Sequence, residues 1–286
     1  MAQRSAGSRG VGAARRTFGG PGWLLAPAAV LYGCMALAPL IIILQMSFSQ
    51  GFGAYGRVLT DPLLRPILAN TVVISTQTTV VSVLLGYYLA ATIWRSGPRV
   101  RMVLLALILL PFWTSGLVKN FAWAALLQDR GLINQTLQAL GLTHRPLALL
   151  HNRFAVIVGM VHYVLPFAVF PIYSAMLAID RSLERAALSV GASAAATLCR
   201  ITLPLTLPGV YAGGLITFIV STSFYLTPVI LGSQKDMMIA NLIDAYTHQT
   251  VDFAAASALA VVMMLGVSIL FALYQRLPRE GQYGRL

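Results

Sequence analysis

Six stretches of this chain are apolar over a length that crosses a bilayer: residues 23–46, 67–94, 102–127, 154–178, 209–231 and 253–274. At 1.5 Å of rise per residue, about 20 apolar residues span a hydrocarbon core of about 30 Å. Lipid offers no partner to a backbone N–H or C=O, so each span must close its own hydrogen bonds as a helix. Composition agrees, with 58% hydrophobic and only 10% charged residues against about 25% charged in a soluble domain. The fold class expected is an all-α membrane protein with six transmembrane helices.

The loops set the orientation. With the N-terminus inside, the segments on that side hold Arg4, Arg9, Arg15, Arg16, Arg95, Arg99, Arg101, Arg181, Arg185, Arg200, Arg276, Arg279 and Arg285, which is 13 of the 20 basic residues. Basic residues stay on the cytoplasmic side, so both termini are expected there. Asp61, Asp129, Asp236, Asp244 and Asp252, five of the eight acids, fall at or near the opposite face. There they lend an outer vestibule negative potential. The net charge of +12 punctuates apolar segments and forms no single patch. It therefore speaks for topology and against a nucleic-acid partner.

The chain reads as a basic tail at 1–22, a membrane domain at 23–275 and a second tail at 276–286. The first apolar run is a full span long and leads to no Ala-x-Ala site, so a retained helix is expected in place of a cleaved signal. Cys34 and Cys199 lack a neighbouring histidine; neither a disulfide nor a metal site is expected, and no cofactor. Pro111 breaks the third stretch, whose second half carries Lys119 and Asn120, so two shorter helices in series are expected there. Asp61-Pro62 marks a helix start, residues 128–153 read as short surface helices, and the run MMIANLIDAY has the spacing of an interfacial or re-entrant helix. None of these connections is large enough for an enzymatic domain.

Residues 179–208 interrupt the spans with a long semi-polar insert. Asp180 and Ser182 offer N-caps for a helix through Arg185, Ala186, Ala187 and Leu188. Gly191 permits a close turn. A second helical stretch covers 193–201, and Pro204 and Pro208 are expected to fix entry into the fifth span, with Pro208 in its first turn. The result is a helix-turn-helix knob whose small residues let another surface approach closely. An ordinary loop helix is the plainer reading.

The spacing resembles the EAA signature of ABC importer permeases: Glu-Ala-Ala, three residues, Gly, nine residues, Ile, any residue, Leu-Pro. Ala186-Ala187, Gly191, Ile201, Leu203 and Pro204 match it. Arg185 stands where the signature has glutamate, and Glu184 lies one residue earlier, about 100° around a helix. The resemblance extends to the polyamine (spermidine/putrescine)-type branch. Pro27, Pro39 and Ser47-Phe48 resemble its first span. Pro111-Phe112-Trp113-Thr114-Ser115, Lys119 and Ala122-Trp123 resemble its third. Thr227-Pro228-Val229-Ile230-Leu231-Gly232 resembles its motif at the end of the fifth, and Ile239-Ala240-Asn241-Leu242-Ile243 is similar to the segment that follows. The resemblance implies a type I importer permease of a bacterial inner membrane. It also implies a cytoplasmic ATPase dimer seated on the knob, a second and different permease subunit, and an extracytoplasmic solute-binding protein. Glu184, Arg185, Ala186, Ala187, Gly191, Ile201, Leu203 and Pro204 would then couple to the ATPase, with Arg185 facing an acidic residue there. The chain has no phosphate-binding Gly-x-x-x-x-Gly-Lys-Ser/Thr run, so ATP hydrolysis falls to another subunit and no enzyme is expected here.

Polar groups within spans are costly in lipid and are candidates for a solute pathway. The polar and aromatic candidates are Trp113, Thr114, Asn120 and Trp123 in the third span, His162 and Tyr163 in the fourth, and Ser221, Thr222, Ser223, Phe224 and Tyr225 in the fifth. Aromatic faces hold an amine at about 0.5–2 kcal/mol each. The fifth span lacks the acid common in the polyamine branch, which leaves two options open: a charge from the partner permease, or an amino-acid-like or phosphonate cargo. Structural roles compete at every position. Trp23, Trp94 and Trp113 suit membrane interfaces, Ser221–Ser223 close helix packing, and Lys119 snorkelling to headgroups. His162 suits an interhelical hydrogen bond, Asp244 a surface cap and Cys199 packing. A secondary transporter working without an ATPase is the alternative class. It calls for repeat symmetry and buried acids in unwound spans, neither of which is evident.

Overall fold

A computed structural model describes residues 26–276. It is all-helical, with no strand among the described residues. The chain divides into two units, Met1–Ile42 and Ile43–Leu286. The first contributes most of α1, Ala26–Ser47, whose 22 residues suffice for one crossing. The tails, Trp23, and the choice between a cleaved and a retained start lie outside the described residues.

The second unit is built on three long helices, α3 (Leu64–Arg95), α7 (Arg153–Leu177) and α10 (Leu203–Thr222), after the short α2 (Gly53–Thr60). The buried stripe of α3 runs Leu64, Ile67, Thr71, Ile74, Thr78, Ser82, Gly86, Ala90 and Ile93, at helical spacing. Its middle is small and hydroxylated because lipid already accommodates the large apolar side chains outside. Close backbone approach and dispersion drive packing here. Ala168 of α7 shows this most clearly. A Cβ added at Gly86 would stand 3.0 Å from the Ala168 Cβ, and one added at Gly213 2.9 Å from its carbonyl oxygen. At Gly209 the obstacles would be Ala175 and the Pro171 carbonyl.

The third span is broken, as Pro111 predicts. It comprises α4 (Pro98–Leu109), a 3-10 turn (Leu110–Trp113) and α5 (Gly116–Leu127), and the chain bends by 102° between Pro98–Trp113 and Gly116–Ala139. Then come α6 (Leu132–Ala139), α7, and α8 (Arg181–Ser189) and α9 (Ala194–Thr197) of the insert. A π-helical turn, Leu198–Thr202, runs on into α10, followed by α11 (Leu226–Leu231), α12 (Ile239–His248) and α13 (Phe253–Gln275). Among the described residues, five helices are long and apolar enough to cross a membrane, and the bent pair makes up to six.

The fifth span corrects the sequence expectation. It starts at Ala194, as one 29-residue run with the insert's second helix, and ends at Thr222. Pro208 therefore lies inside α10, and Pro204 holds the first-turn position. A missing Pro204 N–H removes one i→i−4 bond; the turn before it widens, and Leu203 N–H donates to Leu198 C=O. Trp94 is 2% exposed and packs in the core, contrary to an interface role. Cys199 is exposed and does not serve as packing.

Where α2, α12 and α13 meet the start of α3, Val58, Leu64, Ile67, Ile239, Leu242 and Leu259 form an apolar cluster. Asp236, only 4% exposed, is satisfied by Arg153 at 3.4 Å and by the Ser233 hydroxyl at 2.6 Å. Arg153 also donates to Asn70 at 2.7 Å, which joins α3, α7 and the loop before α12.

Candidate functional site

Two features carry functional geometry: the knob and a cavity among the broken helices. In the knob, Asp180 accepts from the Ser182 N–H at 2.8 Å and caps α8. The Ser182 amide, then its hydroxyl, hold the Asp180 carboxyl below its ordinary range. The helix stops at Gly191, whose φ of +86° is left-handed. Gly191 N–H donates to Leu188 C=O and Ala192 N–H to Ala187 C=O, both at 3.1 Å. This is the paired closure of a Schellman stop, which requires a residue free of Cβ strain at that position. Ser193 then caps α9 through the Ala196 N–H at 3.2 Å. Arg185 and Ala186 are exposed, Ala187 and Ile201 are half-buried, and Leu203 and Pro204 are exposed at the head of α10.

Glu184 points another way. Its Oε1 accepts from the buried Thr202 hydroxyl at 2.7 Å and from Arg95, at the end of α3, at 3.3 Å. One turn earlier, Arg181 donates to the Trp94 carbonyl and lies 5.1 Å from the Trp94 ring centroid. Both arginine contacts meet the C-terminal end of α3, where a helix favours cations.

A cavity of about 460 Å³ lies among α5, α7 and the gap between α10 and α11. Lys119, Asn120, Tyr163, Ser223, Phe224 and Tyr225 line it. Backbone discontinuity creates the space. The third span breaks at Thr114-Ser115, and α10 stops before the unwound Ser223–Tyr225 turn. Helix breaks at membrane depth are tolerated where they line a cavity. Asn241 satisfies one freed carbonyl, donating to Tyr225 C=O at 3.1 Å. Tyr163 meets Phe224 edge-on at 5.1 Å. Gly116, Lys119 and Tyr163 also border a smaller adjoining space of about 80 Å³, which is lined by Thr114 and His162.

Of the predicted pathway residues, Thr114, Asn120, His162, Tyr163, Ser223, Phe224 and Tyr225 thus line these two spaces. Trp123 stands behind, donating to His162 at 3.0 Å. The remaining three lie elsewhere. Trp113 is 91% exposed, Ser221 is buried, and the Thr222 hydroxyl turns back to Ile219 C=O at 2.7 Å. Two residues given structural roles in the sequence reading border the cavities. Lys119 does not snorkel: its ammonium donates to Pro111 C=O at 3.1 Å and lies 4.3 Å from the Tyr163 ring centroid. Asp244 is no cap; from within α12 it accepts from the Tyr225 hydroxyl at 3.1 Å and borders a further space of about 390 Å³. A lysine inside an apolar run was visible in the sequence, whereas nothing there indicated that α12 folds back onto Tyr225.

A multi-pass bundle with a capped knob and facing helix breaks around a cavity of mixed polar and aromatic lining is the frame of a membrane transport subunit. Residues 82–280 match the family described as "Binding-protein-dependent transport system inner membrane component", and the chain belongs to that family, the permease subunits of ABC importers. It is 31% identical over 225 residues to the spermidine/putrescine transport system permease protein PotB of Escherichia coli (strain K12), covering 79% of this chain and 82% of the relative. It is 29% identical over 250 residues to the Haemophilus influenzae protein of the same name, with 84% and 87% covered. In fold it is similar to a chain of a bacterial alginate ABC transporter crystallised with an alginate pentasaccharide-bound periplasmic protein. There the TM-score is 0.76 at 19% identity, over 90% of this chain and 94% of that one. The protein is therefore a multi-pass inner-membrane permease subunit that forms a pathway for a polar solute. Catalytic ATPase activity resides elsewhere.

Proposed function

We propose that this permease pairs with a second, different permease subunit and imports a small polyamine or related amine handed over by an extracytoplasmic binding protein. An ATPase dimer seated on Arg185, Ala186, Ala187, Gly191, Ile201, Leu203 and Pro204 drives it through the knob, while Glu184 is turned inward, away from that contact. The observation that carries the reading is the aromatic cavity between the two helix breaks, with Asp244 bonded to Tyr225 beside it. Tyr163, Phe224 and Tyr225 present ring faces suited to an amine, and the named relatives at 29–31% identity are spermidine/putrescine permeases. ATP closes the ATPase pair and draws the knobs together, and the cavity opens toward the binding protein. Hydrolysis returns it to the cytoplasm. Such a cycle requires partner contacts that differ in strength between the two conformers.

Lys119 favours a second reading of the cargo. Among the described residues no acid lines the two spaces that Lys119 borders, so its ammonium suits a less cationic solute, amino-acid-like or phosphonate. Proteoliposomes holding the reconstituted complex decide the matter. ATP-dependent uptake of labelled putrescine or spermidine is expected, and uptake of a phosphonate or amino acid alone would establish the second reading. Gly191→Trp is expected to release the ATPase on co-purification. An intact complex with full uptake would overturn the assignment of the knob.

A further inference from the structure

We infer that Glu184 is a positioning residue that ties the knob to its own membrane domain, and that Arg185 takes over the charge presented to the partner. The inference rests on the coupling role proposed above for the knob. One residue of displacement turns a side chain about 100° around α8. Glu184 then shares a side of the helix with Arg181, three residues earlier, and both reach the C-terminal end of α3.

The Glu184 carboxylate sits where three parts of the fold converge. Arg95 ends α3, Thr202 closes the π-helical turn that leads into α10, and Glu184 itself belongs to α8. Its side chain is 17% exposed and that of Arg95 51%, while Thr202 is 1% exposed. The carboxylate is thus held inside the chain and is not offered to a neighbour. Arg185 is exposed and has no ion pair or side-chain hydrogen bond among the described residues. At the position where the family signature has an acid, this chain presents a cation. The occupant it fits is an ATPase groove carrying a carboxylate. A force applied to α8 reaches α3 and α10 through Glu184, so the tie sets how faithfully knob motion becomes helix motion.

The test uses the reconstituted complex, with ATP hydrolysed per solute imported and ATPase co-purification read together. Glu184→Ala is expected to keep the ATPase bound and hydrolysing while ATP per solute rises about fivefold or more, and the charge swap Glu184→Arg with Arg95→Glu is expected to bring it back to within about twofold. A structural defect alone would lower assembly and leave this ratio unchanged. Loss of the ATPase from E184A, or a swap no better than E184R alone, would overturn the tie. Where E184A fails to fold, the comparison of E184R with the swap decides. Retention of the ATPase by Gly191→Trp would instead overturn the coupling role itself, with the tie judged separately by the swap.

Discussion

Trp123 Nε1 donates to His162 Nδ1 across 3.0 Å, with the rings edge-to-face at 5.8 Å. An indole N–H only donates, so the imidazole accepts at Nδ1 and carries its proton on Nε2. The bond joins the second half of the broken span to α7 and fixes the tautomer of an imidazole that borders the smaller cavity. Trp123→Phe keeps the ring and removes the donor. With a hydrogen bond contributing about 1 kcal/mol, KM for the imported solute is expected to rise about fivefold. Initial uptake rates across a solute series check this, and an unchanged KM would show that His162 needs no such orientation.

Gly213 lies against the Ala168 backbone with no room for a side chain. Gly213→Leu is expected to destabilise the α3–α7–α10 core by about 1–3 kcal/mol through overpacking. Thermal unfolding in detergent measures it, with Gly266→Leu, at an open position on α13, as the neutral control.

Lys119 supplies a charged donor to Pro111 C=O, next to the bend. Leaving that carbonyl without its donor costs about 1–3 kcal/mol. Lys119→Met is expected to lower both the melting temperature and uptake, and Lys119→Arg to recover most of each. Recovery of the melting temperature without recovery of uptake would place the lysine's role in the solute pathway and not in the bend.

Two groups outside the spans give stability opposite pH dependences. Asp252 accepts from the Ala255 N–H at 3.0 Å and pairs with Arg57 at 3.0 Å. The Ala255 amide first, and then Arg57 against the opposing effect of burial, hold its carboxyl below the ordinary range. A depressed acid contributes fully above its unfolded value of about 4 and loses that contribution as pH falls through the folded value. Burial first, and then the bond to Asp61, push the Tyr246 phenol up to about 12. Its contribution is complete below the unfolded value of about 10 and fades as pH rises through about 12. The melting difference between wild type and Asp252→Asn should shrink on acidification below about pH 4, and that for Tyr246→Phe on alkalinisation above about pH 10. Differences that stay constant across those windows would sink both assignments.

What backbone chemistry decides locally is legible in the residues. Spans other than the fifth follow from apolar length, the break in the third from Pro111, and the cap and turn of the knob from Asp180 and Gly191. Each of these is a matter of hydrogen bonds or φ within a few residues. Tertiary structure decided which face of a span turns inward, because lipid and core are both apolar and periodicity carries no sign between them. The small stripe of α3, ending at Trp94, became legible only against α7 and α10. Tertiary structure also decided the fate of the charges. Lys119 folds back onto Pro111, Asp244 reaches Tyr225, and Glu184 finds Arg95 from 89 residues away. A buried or half-buried charge takes whatever partner the packing brings near, and no local pattern names that partner in advance.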